Sequence, residues 1–192
     1  MKTEIKVIKA LIEHEKKEMT IREIAIKIKS DYKITHTAVQ RLIKKGILRV
    51  KIVGKSSLCM LNPSAYSLEI YQAEDERKQE LLKNKEIYYM FKEIMQKIET
   101  SFLIILVFGS YAKKKQTKYS DIDLLFISQE QNFENKVTKI LALFPVKTHH
   151  IVLSEEDFKR MLNNKEKNVV KETLNNYIIL CGIESFYRLK NA

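Results

Sequence analysis

The chain has few of the residues that interrupt regular structure: four glycines and two prolines stand among 192 residues, and tryptophan is absent. The two cysteines, Cys59 and Cys181, lie far apart in apolar surroundings, which is typical of reduced core thiols rather than of a disulfide framework or a zinc site. No apolar run approaches the ~20 residues that a membrane-spanning helix needs, and the N-terminus lacks a signal peptide's apolar block. We therefore expect a cytoplasmic protein with no membrane partner.

Positive charge is unevenly distributed along the chain. Residues 1–62 contain 15 of the 35 Lys and Arg residues but only 6 of the 24 Asp and Glu residues, which gives this segment +9 of the total charge of +11. Such a basic segment is typical of a module that contacts phosphate backbones. The charge pattern therefore predicts that the N-terminal third of the chain binds nucleic acid.

The same N-terminal third shows the pattern of three short helices. An apolar stripe through residues 5–12 predicts the first helix, and Thr20 with a glutamate three positions later forms a capping box for the second. Thr35 or Thr37 is expected to cap a third helix, which Gly46 ends in a left-handed conformation. Two alternating runs joined by the turn Gly54-Lys55-Ser56 then predict a β-hairpin.

Three helices followed by a basic hairpin resemble a winged helix-turn-helix, a fold whose third helix commonly enters the major groove of DNA. Solvated polar faces, or a protein-interaction module on the same fold, are the alternatives. The residues expected to contact DNA are His36, Thr37, Gln40 and Arg41 at base edges, and Lys44, Lys51 and Lys55 at phosphates.

A motif with chemical meaning lies in the C-terminal half. Residues 102–108 form a nearly continuous apolar run, which predicts a buried strand that ends on Gly109-Ser110. A second strand begins at Asp121 and Asp123 and continues through apolar residues. Because side chains alternate along a strand, the two carboxylates are predicted to project from the same face, close enough to share a divalent cation.

The segment GSYAKKKQTKYSDIDLLFI resembles the motif of the nucleotidyltransferases of the DNA polymerase beta superfamily, especially their minimal archaeal and bacterial members. In that family Gly-Ser is followed about a dozen residues later by Asp-x-Asp. The resemblance implies that Asp121 and Asp123 bind Mg2+ (or Mn2+) and that Gly109, Ser110 and Lys113 bind a nucleoside triphosphate. It also implies catalysis by charge neutralisation and positioning of the phosphates.

Two positions depart from the family's pattern. Lys114 stands where members commonly have glycine, so the turn is expected to differ or to hold a strained residue at a cost of about 1 to 2 kcal/mol. Active members also place a third carboxylate on a later strand, as a metal ligand and a base. The corresponding run, residues 146–153, has no acid, and the matching position is His149 or His150. We take His150 as the expected third catalytic group, although imidazole is a poorer ligand for Mg2+.

The sequence thus predicts an α/β (α+β) fold with a winged helix-turn-helix in residues 1–62, a helical connector in 63–100, and a nucleotidyltransferase domain with a mixed sheet in 101–192. The predicted function is transfer of a nucleotidyl group from a nucleoside triphosphate to a hydroxyl on an unknown acceptor. The alternative is a DNA-binding transcriptional regulator that binds nucleotide without catalysis, as the missing carboxylate suggests. A third hypothesis is that the chain resembles the minimal nucleotidyltransferases that partner and modify a toxin. A homodimer is the ordinary expectation for a winged-helix regulator.

Overall fold

The structure is a computed structural model that describes residues 2–14, 16–54 and 56–191. Lys55, one of the residues expected to contact DNA, lies outside the described residues. The chain divides into two compact units, the first extending to Asp75 and the second running from Glu76 to Lys190. The division into 1–62, 63–100 and 101–192 stays a prediction about domains.

Both units combine helices and strands. In chain order they are α1 (Thr3–Ile12), β1 (Glu18–Thr20), α2 (Ile21–Lys27), α3 (Tyr32–Lys44), β2 (Leu48–Val53), β3 (Ser56–Leu61), α4 (Leu68–Leu81), α5 (Lys85–Lys97), β4 (Leu103–Phe108), α6 (Gly109–Ala112), β5 (Ile122–Ser128), α7 (Phe133–Leu141), β6 (Thr148–Leu153), α8 (Glu155–Asn163), α9 (Val169–Asn175), β7 (Ile178–Cys181) and α10 (Ile183–Lys190).

In the first unit, three helices accompany an antiparallel sheet of order β1-β3-β2. The predicted capping box at Thr20 is confirmed, because its hydroxyl accepts the Glu23 N–H while the Glu23 carboxylate accepts the Thr20 N–H. Gly46 follows α3 at φ +71°, as predicted. The short strand β1 was not predicted, because three residues with one apolar side chain, Met19, carry no strand signal.

The predicted start of α3 is wrong by several residues. Asp31 caps the helix, since its carboxylate accepts the N–H groups of Lys33 and Ile34. Thr35 and Thr37 lie inside the helix, where their hydroxyls donate to the carbonyls four residues earlier at 2.8 and 2.9 Å. An aspartate competes well for the cap position because a carboxylate is a stronger acceptor of backbone N–H groups than a hydroxyl.

The second unit is built around a four-stranded sheet of order β6-β5-β4-β7. Strands β5 and β6 are parallel, and the other pairs are antiparallel, so the predicted mixed sheet is confirmed. The sheet core is completed by α5 and α7, whose inward side chains belong to one apolar cluster with β4 and β5. Strand β7 was not predicted, since four consecutive apolar residues are too few to distinguish a strand from a helix by periodicity.

None of the described helices has both the length and the apolar character needed to cross a membrane.

Candidate active site

The residues of the Gly-Ser and Asp-x-Asp motif meet at one edge of the four-stranded sheet. Antiparallel pairing of β4 with β5 places Phe108, the last residue of β4, opposite Asp123, so Gly109 follows β4 at the edge where β5 begins. Gly109 has φ +65°, and a Cβ added there would lie 1.9 Å from Asp123 Oδ2. The Asp123 carboxylate therefore occupies the space that any other side chain at position 109 would fill, and the glycine is required by this contact.

A histidine lies against both carboxylates. Parallel pairing places His149 of β6 beside Asp123. Its Nδ1 is 3.7 Å from Asp123 Oδ1, and its Nε2 is 3.7 Å from Asp121 Oδ2. The His149 side chain is 74% exposed, whereas Asp121 and Asp123 are 32% and 26% exposed. The predicted proximity of the two aspartates is thus present, with an imidazole between them.

The choice of His150 as the third group is not supported by the geometry. His150 pairs with Leu124, so its side chain lies on the opposite face of the sheet from His149. There its Nε2 lies 2.9 Å from the Thr138 hydroxyl on α7. The sequence offered two adjacent histidines, and only the register of β6 against β5 determines which of them faces the aspartates.

The Gly-Ser segment forms a single helical turn, α6, that is tied to the loop after it. The carbonyl of Gly109 accepts the N–H of Lys113 at 3.2 Å, and the carbonyl of Ser110 accepts the N–H of Lys115 at 3.0 Å. Lys113 is exposed at the end of this turn. Lys114 has φ +55°, so the residue that stands in place of the family's glycine adopts the left-handed conformation. Its ammonium lies 3.2 Å from Glu80 Oε2.

The Asp123 carboxyl is electrostatically perturbed. Burial raises its pKa above the ordinary value, the neighbouring His149 lowers it, and the carboxylates of Asp121 and Glu172 raise it again. Glu172, on α9, was missed from the sequence. No short motif marks it, because its charge acts on Asp123 from a helix 49 positions later in the chain.

The donor set at the edge of the sheet suits a hard cation only in part. Two carboxylates offer the oxygen ligands that Mg2+ prefers, and Mg2+ commonly binds to one or two carboxylates while substrate phosphates and water complete its shell. Among the residues that the structure describes, no group of three or more His, Cys, Asp or Glu side chains is arranged to hold a metal ion. The arrangement therefore fits a cation that is shared with a substrate.

The residues predicted to contact DNA lie on α3 and β2 of the first unit, and all those described are exposed: His36, Thr37, Gln40, Arg41, Lys44 and Lys51. Arg41 is engaged with Glu4 at 3.3 Å. Gln40 Nε2 lies 3.5 Å from His36 Nε2. A groove of about 440 Å³ runs between α2, α3 and the β2–β3 hairpin, and its lining includes Arg22, His36 and Gln40.

Comparison with known protein families decides the affiliation of the chain. The family model described as polymerase beta, nucleotidyltransferase matches residues 90–185, which is half of the chain and contains the whole four-stranded sheet. The chain belongs to the polymerase beta nucleotidyltransferase family. Its second unit therefore carries the nucleotidyltransferase domain, and the edge at Gly109, Asp121 and Asp123 lies within the matched residues.

A curated relative of this nucleotidyltransferase comes from Methanocaldococcus jannaschii and is named "putative protein adenylyltransferase". It is 38% identical over 72 residues, an alignment that covers 35% of this chain and 71% of the relative. No solved structure gives a significant match to the chain.

The raised pKa of Asp123 predicts that this carboxylate destabilises the metal-free fold. In the unfolded chain the group ionises at its ordinary pKa, so the native state loses stability as the pH rises from there through the raised native value. We expect Asp123→Asn to be more stable than the native protein at pH 7, and we expect the difference to vanish below the ordinary pKa of aspartate.

The measurement is hydrogen exchange of the buried β5 amides in EDTA at several pH values. Asp157→Asn is the matched control, because Asp157 bonds Ser154 and Arg160 on α8 and its neutralisation should not stabilise the sheet. A native protein more stable than Asp123→Asn at pH 7 would contradict the prediction.

Proposed function

We propose that the second unit is an enzyme that transfers a nucleotidyl group from a nucleoside triphosphate to a hydroxyl acceptor. The observation that supports this proposal is the meeting of Asp121 and Asp123 at one sheet edge, with the Asp123 carboxylate against the backbone of Gly109. Membership of the nucleotidyltransferase family supports the same reaction. The name of the archaeal relative favours ATP as the donor and a protein side chain as the acceptor.

Asp121 and Asp123 are the residues that would hold Mg2+ (or Mn2+). Their oxygens are the ligand type that these cations prefer, and the glycine opposite leaves the Asp123 carboxylate its room. The cation, when bound, supplies charge neutralisation for the triphosphate and for the pyrophosphate that leaves. A cation would also relieve the burial penalty and the like-charge repulsion that raise the pKa of Asp123.

The other residues of the motif act on the phosphates directly. The backbone N–H groups of the turn that begins at Gly109 would donate to the triphosphate, and Ser110 adds a hydroxyl donor. Lys113, exposed one residue beyond α6, contributes a positive charge to the same anion. These contacts orient the α-phosphorus toward the acceptor, which is the main task of a protein in phosphoryl-type transfer.

His149 stands beside Asp123 where active relatives are expected to carry a third carboxylate. An imidazole there balances part of the negative charge when no cation is bound, and it is a weak ligand for Mg2+. This substitution favours the second candidate function, a regulator that binds nucleotide without transferring it. Both functions predict nucleotide binding, so they differ only in product formation.

The transfer proposal is tested by incubating the protein with each of the four nucleoside triphosphates, Mg2+ and candidate acceptor proteins, and measuring pyrophosphate release and nucleotide incorporation. We expect Asp123→Asn to lower the rate about 1000-fold or more, because a metal ion supplies several kcal/mol to the transition state. Asp157→Asn serves as the control and should keep the native rate. Binding without release would favour the regulator, and an Asp123→Asn variant with the native rate would contradict the mechanism.

We also infer that the first unit is a winged helix-turn-helix that binds DNA. The inference is supported by the +9 charge of residues 1–62, by the exposed polar face of α3, and by the β2–β3 hairpin beside it. His36 and Gln40 line the groove between α3 and the hairpin, which favours them for base contacts. Arg41 is less available, because it already pairs with Glu4. A dimer on a two-fold DNA site stays a prediction.

Phosphate contacts by Lys44 and Lys51 predict a salt-dependent affinity for DNA. Each contact contributes about 0.9 to the slope of log K against log salt concentration, so the variant Lys44→Ala with Lys51→Ala should lower the slope by about 1.8. The slope is measured by fluorescence anisotropy on a labelled DNA duplex at several salt concentrations. Lys92→Ala with Lys139→Ala removes the same charge from α5 and α7 of the second unit, and it should leave the slope unchanged. Equal slopes for both variants would contradict the assignment.

A further inference from the structure

The helix α3 presents two stripes of side chains that differ in charge. Residues three or four positions apart lie on one face of a helix. One such stripe, at positions 33, 37, 41 and 44, includes the cations Lys33, Arg41 and Lys44. The other stripe has no Lys or Arg and consists of Tyr32, His36, Gln40 and Ile43. The second stripe lines the groove between α3 and the β2–β3 hairpin, and the first does not. The groove therefore receives the aromatic and amide side chains of α3 rather than its cations.

The hairpin closes the groove on its other side. Pairing of β2 with β3 places Val50 opposite Cys59 and Ile52 opposite Ser57, so these four side chains share one face of the sheet. Val50, Ser57 and Cys59 line the groove, so this face is the one turned toward it. Cys59 is fully buried, whereas Val50 is 41% exposed. The sheet thus gives the groove an apolar surface that a ligand can reach.

Tyr32 and His36 form an aromatic wall of the groove. Their ring centroids are 6.0 Å apart and their planes meet at 32°, so the two rings lie side by side with similar orientations. The Tyr32 side chain is 54% exposed, which leaves much of its ring open to a ligand. Every nucleic-acid base has a π face that stacks on such a ring. The wall is therefore suited to a flat heterocycle.

Polar groups that line the same groove suit the remaining parts of a nucleotide. Arg22 on α2, Gln40 on α3 and Ser57 on β3 are all exposed. A guanidinium binds phosphate through parallel N–H groups, and an amide offers both a donor and an acceptor to the edge of a base. The groove has a volume of about 440 Å³, which is within the range of small-ligand sites. One concave site thus combines stacking, apolar contact and a cation.

A nucleotide within a duplex cannot place its base in this groove unless the base is extruded, which breaks its pairing and its stacking. In a single strand the faces of the bases are open, and the neighbouring phosphates keep their charge. Lys33 and Lys44, on the stripe of α3 beside the groove, are placed to meet those phosphates. The combination favours a nucleotide that is part of a strand.

We propose that the groove between α3 and the β2–β3 hairpin binds an unpaired nucleotide of single-stranded DNA. Its base stacks on Tyr32 and His36, and its phosphate binds to Arg22. This inference rests on the DNA-binding function proposed for the first unit and extends it, since that function places α3 on a duplex.

The position of the base is tested by photocrosslinking of the full chain to a single-stranded oligonucleotide that carries one 5-iodouracil. This base reacts on irradiation with an aromatic side chain against which it is stacked, and mass spectrometry of the peptides locates the adduct. We expect the adduct at Tyr32 or His36. Tyr66 is an internal control, because it lies in the same unit, is 50% exposed and does not line the groove. An adduct at Tyr66 as abundant as that at Tyr32 would overturn the proposal.

The contribution of stacking is measured by fluorescence anisotropy on a labelled single strand and on a labelled duplex. Tyr32→Ala should weaken binding of the single strand about 5- to 150-fold, the range for loss of one base–aromatic stack, and change duplex affinity by less than about twofold. Tyr32→Phe keeps the ring, and Tyr66→Ala leaves the groove intact, so both should bind the single strand with the native affinity. Unchanged binding of the single strand by Tyr32→Ala, or equal weakening on both forms of DNA, would contradict the proposal.

A competition experiment separates a strand from a free nucleotide. Millimolar dTMP should leave the single strand bound, because it lacks the neighbouring phosphates that Lys33 and Lys44 contact. Displacement of the strand by dTMP would assign the groove to a free nucleotide and overturn the proposal. If the native protein binds neither the duplex nor the single strand, the DNA-binding function fails together with this inference. Native duplex binding with a single-strand affinity that does not depend on Tyr32 removes the inference alone.

Discussion

The close packing of the Asp123 carboxylate against the backbone of Gly109 is the contact on which the rest of the site depends. It follows from the antiparallel register of β4 and β5, which sets Phe108 opposite Asp123 and turns the chain at the next residue. A side chain at position 109 would collide with Oδ2, so the Asp123 carboxylate requires glycine at that position. The carboxylate that is expected to hold a cation is thereby fixed beside the backbone that is expected to meet phosphate.

Placing the Asp123 carboxylate at this edge has an energetic cost, which the burial of the surrounding sheet offsets. Asp123 is partly desolvated, and Asp121 and Glu172 add negative charge to its surroundings, so its pKa is raised. His149 compensates in part from β6. The fold bears this electrostatic cost because β4 and β5 are buried, with α5 and α7 completing their core. Binding of a cation together with an anionic substrate would relieve the desolvation and the repulsion at Asp123.

Much of this architecture follows from sequence patterns, and the exceptions have physical reasons. The apolar run before Gly109 predicted β4, and the apolar run after Asp123 predicted β5, because buried strands carry their signal in consecutive residues. Strand β7 has only four residues, and pairing with β4 makes it a strand. The choice between His149 and His150 depends on register, which no local pattern encodes, and no local pattern marks Glu172, whose charge acts on Asp123 from α9. Elements were therefore predictable where the signal is local, and contacts between distant segments were not.

The central claim is that the contact between Gly109 and Asp123 builds the cation site, and Mn2+ binding tests it most directly. Gly109→Ala displaces the Asp123 carboxylate, whereas Gly46→Ala introduces the same methyl group at another left-handed glycine where a Cβ meets nothing within 4 Å. Mn2+ affinities of both variants and the native protein are measured by electron paramagnetic resonance with ATP present. The account predicts at least about tenfold weaker binding in Gly109→Ala, about 1.4 kcal/mol, and native affinity in Gly46→Ala. Equal affinity in all three proteins would contradict it.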